Sequence, residues 1–183
     1  CGNGLVSMGD CAFYGCSALK YLQFSNTLEK IGTNGIDLCT GLTYMEFPDT
    51  VSTLGNYIMS GCSALEKVVL PGALKILPQY AFYVGTSLKE VVLPDHLEKM
   101  GRSAFEGCVK IIIIVIPASV DRIENGAFKD CSGLKEIDLP DNLTEIEGKT
   151  FSGCTSLEKI DLPDSITSIG ERAFEKCETL III

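Results

Sequence analysis

Residues 134–146 read Leu134-Lys135-Glu136-Ile137-Asp138-Leu139-Pro140-Asp141-Asn142-Leu143-Thr144-Glu145-Ile146, and the unit closes with Phe151-Ser152-Gly153-Cys154. Ile137 and Leu139 flank the polar Asp138, the two-residue alternation of a strand with one buried side. Pro140 has no N–H with which to extend a central ladder, so the strand ends there, and Asp141-Asn142 supplies a turn. Leu143 and Ile146 point inward again on a return pass. A Gly-x-x-Ala-Phe-x-x-Cys stretch follows, clearest at 101–108 and 170–177. It is too short for a long helix and is expected to form a turn or two of 3₁₀ or α-helix.

The same unit recurs every 23 residues without an insertion or deletion. Phe13, Phe82, Phe105, Phe128, Phe151 and Phe174 lie on one grid, with Ile36 and Met59 at the two remaining nodes. Three residues after the nodes come Cys16, Cys39, Cys62, Cys108, Cys131, Cys154 and Cys177, with Gly85 the exception. An inward strand column follows: Leu22, Met45, Val68, Val91, Ile114, Ile137, Ile160 and Ile183. Pro48, Pro71, Pro94, Pro117, Pro140 and Pro163 share another column, while Ser25 stands in it in the first unit and Pro78 falls in a column otherwise rich in Gly. The length of 183 residues is one short of eight such units.

A single coil cannot bury its own apolar side, whereas stacked coils bury it against their neighbours. The expected fold is therefore an α/β repeat solenoid of about eight coils. It has one face of parallel strands and, on the opposite face, short 3₁₀ or α turns or short strands. Residues 1–183 form one domain. The Phe column is expected to stack through the interior.

The composition excludes several classes of protein. Six residues, 111–116, make the longest apolar run, far short of the ~20 needed to span a membrane as a helix. A net charge of −9 opposes a phosphate-binding surface, so no nucleic-acid partner and no membrane insertion are expected. The chain opens at Cys1-Gly2-Asn3 without an initiator Met, and both ends fall within a repeat and lack polar caps. This leads us to expect a piece of a longer array, or copies that associate end to end.

Neighbouring grid cysteines should stand about one strand spacing apart, roughly 5 Å, which a disulfide accepts. Identical stacked side chains nevertheless point in parallel, whereas a bridge needs converging Cβ vectors, so buried free thiols are expected. Cys1 falls in a strand column. Cys11 lies off the grid, and with Cys16 it has no second pair to complete a metal site. His96 occupies the exposed turn column shared with Ser119, Asn142 and Ser165, with no positioned nucleophile in sight. Asp138 and Asp161, one coil apart, read as a solvated acidic stripe rather than a glycosidase pair. No catalytic residue, metal or cofactor is assigned. Asn142-Leu143-Thr144 matches an N-glycosylation sequon in a turn.

The outward strand residues should line one continuous surface. Tyr21 and Tyr44 lie toward its N-terminal end, Val69, Val92 and Val115 in the middle, and Asp138 and Asp161 toward the C-terminal end. The fifth coil departs from the pattern: Ile112, Ile113 and Val115 make both sides of its strand apolar. Contiguous exposed apolar surface marks interaction sites; cover by another segment, self-association, or neutral variation would produce the same residues. Residues 130–183 hold 12 acidic and 5 basic side chains, an end that a basic partner segment or cation would favour.

The motif 157–177 reads Leu157-Glu-Lys-Ile160-Asp-Leu162-Pro163-Asp-Ser-Ile166-Thr-Ser-Ile169-Gly170-Glu-Arg-Ala173-Phe174-Glu-Lys-Cys177. It resembles the BspA-like branch of the leucine-rich-repeat family over essentially the whole chain. The resemblance implies a right-handed coil and a secreted or cell-surface microbial protein that acts in adhesion. The partner it implies is a host or extracellular-matrix protein, or a glycan. A structural spacer that positions another domain is the alternative, and an enzyme comes third.

Overall fold

The computed structural model describes residues 4–182, so Cys1 and the column position Ile183 lie outside the described residues. In chain order the strands are β1 (Ser7–Met8), β2 (Lys30–Ile31), β3 (Tyr44–Glu46), β4 (Thr53–Leu54), β5 (Lys67–Val69), β6 (Ile76–Leu77) and β7 (Glu90–Val92). They continue with β8 (Lys99–Met100), β9 (Ile113–Ile114), β10 (Arg122–Ile123), β11 (Glu136–Asp138), β12 (Glu145–Ile146), β13 (Lys159–Asp161), β14 (Ser168–Ile169) and β15 (Ile181–Ile182). The result is a parallel β-solenoid of about seven turns, which corrects the expected α/β class and its count of about eight coils.

Two series of strands alternate along the chain. The Leu-x-x-Ile-x-Leu segments pair as β3-β5-β7 and as β9-β11-β13-β15, and the return passes pair as β1-β2-β4, β6-β8-β10 and β12-β14. Registers such as Met45↔Val68↔Val91 and Ile114↔Ile137↔Ile160 reproduce the 23-residue grid. At the last strand the partner of Ile160 is Ile182, one residue before the column position.

The expectation of helical turns is corrected. Among the described residues there is no helix: the Ala-Phe-x-x-Cys stretches are chains of tight turns. The residues two before and two after each grid node carry positive φ. Examples are Lys149 (59°) and Gly153 (79°) around Phe151, and Tyr80 (57°) and Val84 (56°) around Phe82. A left-handed residue every fourth position cannot continue a right-handed helix. The N–H groups of these residues and of the node between them instead cross to the next coil: Lys149 donates to Glu171 O at 2.9 Å, Phe151 to Ala173 O at 2.9 Å and Gly153 to Glu175 O at 2.8 Å. The turn side is thus a third inter-coil ladder, and the opposite-face strands are the part of the expectation that the structure contains.

The interior is the predicted set of columns. Phe82, Phe105, Phe128, Phe151 and Phe174 stack with centroids 5.3–5.7 Å apart, and the first four are fully buried. The grid thiols are free, and Cys39, Cys62, Cys108, Cys131 and Cys154 are buried. Each donates its S–H to the node carbonyl of the preceding coil, as Cys131 does to Phe105 O at 3.0 Å and Cys154 to Phe128 O at 3.2 Å. A cysteine therefore serves as a small apolar residue and as a donor together. Two grid cysteines depart from the expected burial: Cys16 is exposed and Cys177 only half-buried. They lie in the outermost coils, which have a neighbour on one side only.

Gly101 shows why its column favours glycine. A Cβ there would stand 2.6 Å from Gln79 N and 2.7 Å from Leu77 O, both backbone atoms that cannot swing away. Gly101→Ala is expected to destabilise by about 1–3 kcal/mol, read as a lower urea midpoint; an unchanged midpoint would contradict the close approach.

Candidate binding face

The ladders are not continuous, and the interruptions shape the surface. Gly32, Gly55, Gly101 and Gly170 each donate an N–H to the preceding return strand, at 2.7–2.9 Å. Pro78 holds this column in its own coil and has no N–H to give. The return ladder parts there, between β4 and β6, and again between β10 and β12. A recess lined by Ser52, Asn56, Gln79, Lys99 and Glu124 lies at the break. Burial works to raise the Glu124 carboxyl, but Lys99 at 2.6 Å, the Arg102 N–H and the nearby Arg122 outweigh it and hold it below the usual range.

On the strand face the ladder parts between β7 and β9. A groove of about 410 Å³ opens there, with Val91, Val92, Leu93, Ile113, Ile114 and Val115 along it and Lys89, Glu90 and Asp95 at its margins. Val91 belongs to the inward column, yet it is half-buried where Val68 and Met45 are fully buried. Around the groove Val92 is 42% exposed, Ile112 53%, Ile113 58% and Val115 78%. They form the main exposed apolar surface of this face.

The remaining sequence-assigned positions share the face. Val69 is half-buried beside Val92 in register, and Asp138 is exposed in register with Asp161. The acidic end is partly neutralised: Lys159 reaches Asp161 at 2.8 Å and Lys135 reaches Glu158 at 3.8 Å. The hydrogen bond and charge of Asp161, with Glu136 and Asp138 nearby, push the Lys159 ammonium above its ordinary pKa. Lys67–Glu90 at 2.7 Å and Lys89–Glu66 at 3.0 Å link the middle coils; exposed pairs of this kind contribute little to stability.

Tyr21 and Tyr44 sit apart from the groove. Among the described residues the strand-face ladder starts at β3, and no strand forms over residues 20–24 of the first coil. A recess of about 390 Å³ opens between the two coils. Its floor is Phe24 and Phe47, both buried with ring centroids 6.5 Å apart. Tyr21, Gln23, Asn26, Tyr44 and Glu46 surround it, and the Tyr44 hydroxyl donates to Glu46 Oε2 at 2.6 Å. Of the nine assigned residues, Tyr21 and Tyr44 line this recess, Val92, Ile113 and Val115 line the groove, Asp138 and Asp161 form an acidic flank, and Val69 and Ile112 line neither recess. Gln23, Asn26, Glu46, Lys89, Asp95 and the uncovered Val91 were not assigned from sequence. Pro78 is a legible signal for the break between β4 and β6, and the β7–β9 break falls where the sequence departs from its own pattern, at Gly85 in the Cys column and at Ile112, Ile113 and Val115.

His96 is exposed. Asp37 is a buried carboxyl whose pKa burial raises, against hydrogen bonds from Ser60 and the Leu38 N–H. Among the described residues no three His, Cys, Asp or Glu side chains gather as metal ligands, and no helix is long and apolar enough to cross a membrane.

The fold matches solved leucine-rich-repeat structures. A leucine-rich-repeat protein of T. pallidum is 28% identical with a TM-score of 0.74, over 96% of this chain and 72% of its own. One from Bacteroides ovatus is 26% identical with a TM-score of 0.66, over 100% of this chain and 59% of its own. A leucine-rich cell surface protein from Faecalibacterium prausnitzii is 24% identical with a TM-score of 0.59, over 97% of this chain and 64% of its own. No curated protein matches the chain. The family model for the BspA-type leucine-rich-repeat region matches residues 2–112 and 99–183. With that match over the same repeats that build the three ladders, the chain belongs to the BspA-type leucine-rich-repeat family.

Proposed function

We propose that the chain is a non-catalytic binding module of a secreted or surface-displayed microbial protein, and that it captures a protein partner on its strand face. The observation that carries this reading is the groove at the β7–β9 interruption, where Val91 is half-uncovered and Val92, Ile112, Ile113 and Val115 form contiguous exposed apolar surface. Apolar anchors of this kind, ringed by charged residues, are how interfaces concentrate binding energy. Family membership supports the surface location and the adhesive role, with a host or extracellular-matrix protein as the partner class.

The test is capture of purified extracellular-matrix proteins on a sensor surface. Val92→Asp or Ile113→Asp is expected to weaken capture by at least about 30-fold, while circular dichroism stays unchanged because both side chains are already in solvent. Capture that is indifferent to both substitutions would refute the placement and favour a spacer. Light scattering at several concentrations separates partner capture from self-association, since loss of a concentration-dependent dimer in Val92→Asp would assign the groove to a second copy.

A further inference from the structure

We propose that the recess between the first two coils is a binding site for an uncharged saccharide. It shares no residue with the Val92–Val115 groove and goes beyond the protein-capture reading, so either can fail without the other.

The recess lies where, among the described residues, the strand-face ladder ends at β3 and no strand forms over residues 20–24. Its volume of about 390 Å³ falls within the ~300–1,000 Å³ of small-ligand sites. Three properties define what it takes. The first is an aromatic wall: Tyr21 is 88% exposed, with almost nothing folded against its ring, and Tyr44 is 45% exposed beside it. The second is a dense polar rim. The Asn26 amide offers donors and an acceptor, and Glu46 offers acceptors. The Tyr44 proton is committed to Glu46, which orients the two groups and leaves the phenol oxygen as an acceptor. The third is charge, since Glu46 is the one formally charged residue in the lining.

A sugar ring answers all three. Its C–H face lies flat on an aromatic ring, and its edge carries hydroxyls that each donate and accept. An aliphatic ligand would leave the rim groups desolvated without partners, which is costly. A phosphate, sulfate or carboxylate ligand would meet the Glu46 carboxylate without a cation in the lining to offset it.

The chain has six Tyr and no Trp, so its intrinsic fluorescence reports the tyrosines directly. Titration with neutral hexasaccharides of α-1,4-glucose, β-1,4-glucose, β-1,4-mannose and N-acetylglucosamine, backed by calorimetry, is expected to show binding in the micromolar-to-millimolar range for at least one. A heparin hexasaccharide serves as the anionic control. Tyr21→Ala should weaken the binding by about 10-fold with an unchanged melting temperature, and Tyr44→Phe should weaken it by about 3-fold or more through loss of the fixed Glu46. Val92→Asp should leave it unchanged. No binding of any neutral probe in the millimolar range overturns the proposal. So does binding that Tyr21→Ala leaves intact, and so does equal or tighter binding of the heparin fragment. Binding lost in Val92→Asp but kept in Tyr21→Ala would move the sugar to the central groove and likewise overturn it.

Discussion

Phe128→Ala is expected to destabilise the solenoid by about 3–5 kcal/mol, measured as a large fall in the urea midpoint beside a small one for Lys149→Ala. Phe128 is fully buried, with Phe105 at 5.4 Å on one side and Phe151 at 5.7 Å on the other, the ring planes within 3° of parallel. Deleting the ring removes its transfer free energy and leaves a cavity. The surroundings cannot collapse into it, because the coil spacing is set by backbone ladders. Phe105 donates to Ala127 O at 2.8 Å, Phe128 to Thr150 O at 3.0 Å, and the Cys154 thiol caps Phe128 O at 3.2 Å. In a stacked array each coil also holds its neighbours, so the loss propagates and the transition should broaden. Equal midpoints for the two variants would refute a stacked aromatic column.

The second large effect is loss of stability in alkali. Burial raises the Cys62 and Cys108 thiols to about 12 and the Cys131 and Cys154 thiols well above their ordinary value. Unfolded thiols ionise near ~8.5, so above that pH the unfolded chain binds fewer protons than the folded one. The contribution of these thiols is therefore complete below pH ~8.5 and declines as pH rises toward the folded values, by up to about 1.4 kcal/mol per pH unit for each thiol. Urea midpoints between about pH 7 and 10 should fall steeply above pH ~8.5, and Cys108→Ala should have a shallower slope as well as a lower midpoint at neutral pH. A flat profile over that range would contradict buried, protonated thiols.

How far the repeats could be read depended on what each column does. Ile137 flanked by polar neighbours and ended by Pro140 specifies a strand locally, and the structure places β11 there. The Phe and Cys columns were equally legible, because a residue repeated every coil must stack on its own copies. The Ala-Phe-x-x-Cys stretch misled, since Phe and Cys three apart fit one face of a helix and also a run of tight turns. What decides between them is the left-handed backbone at positions such as Lys149 and Tyr80, whose side chains do not announce it. The exposed Cys16 and half-buried Cys177 likewise obey their column in sequence and depart from it through position in the stack.

The sequence by itself determined the coil, its 23-residue pitch, the columns that fill the interior and the residues that face outward, because periodic burial is a local property repeated along the chain. Only the tertiary structure decided where the ladders part. Pro78 can be read as a missing donor, but the β7–β9 opening and the end of the described strand-face ladder at β3 depend on how whole neighbouring coils settle against one another. Both recesses of the strand face lie at those places, so the candidate sites follow from the spacing between coils rather than from a motif within any one of them.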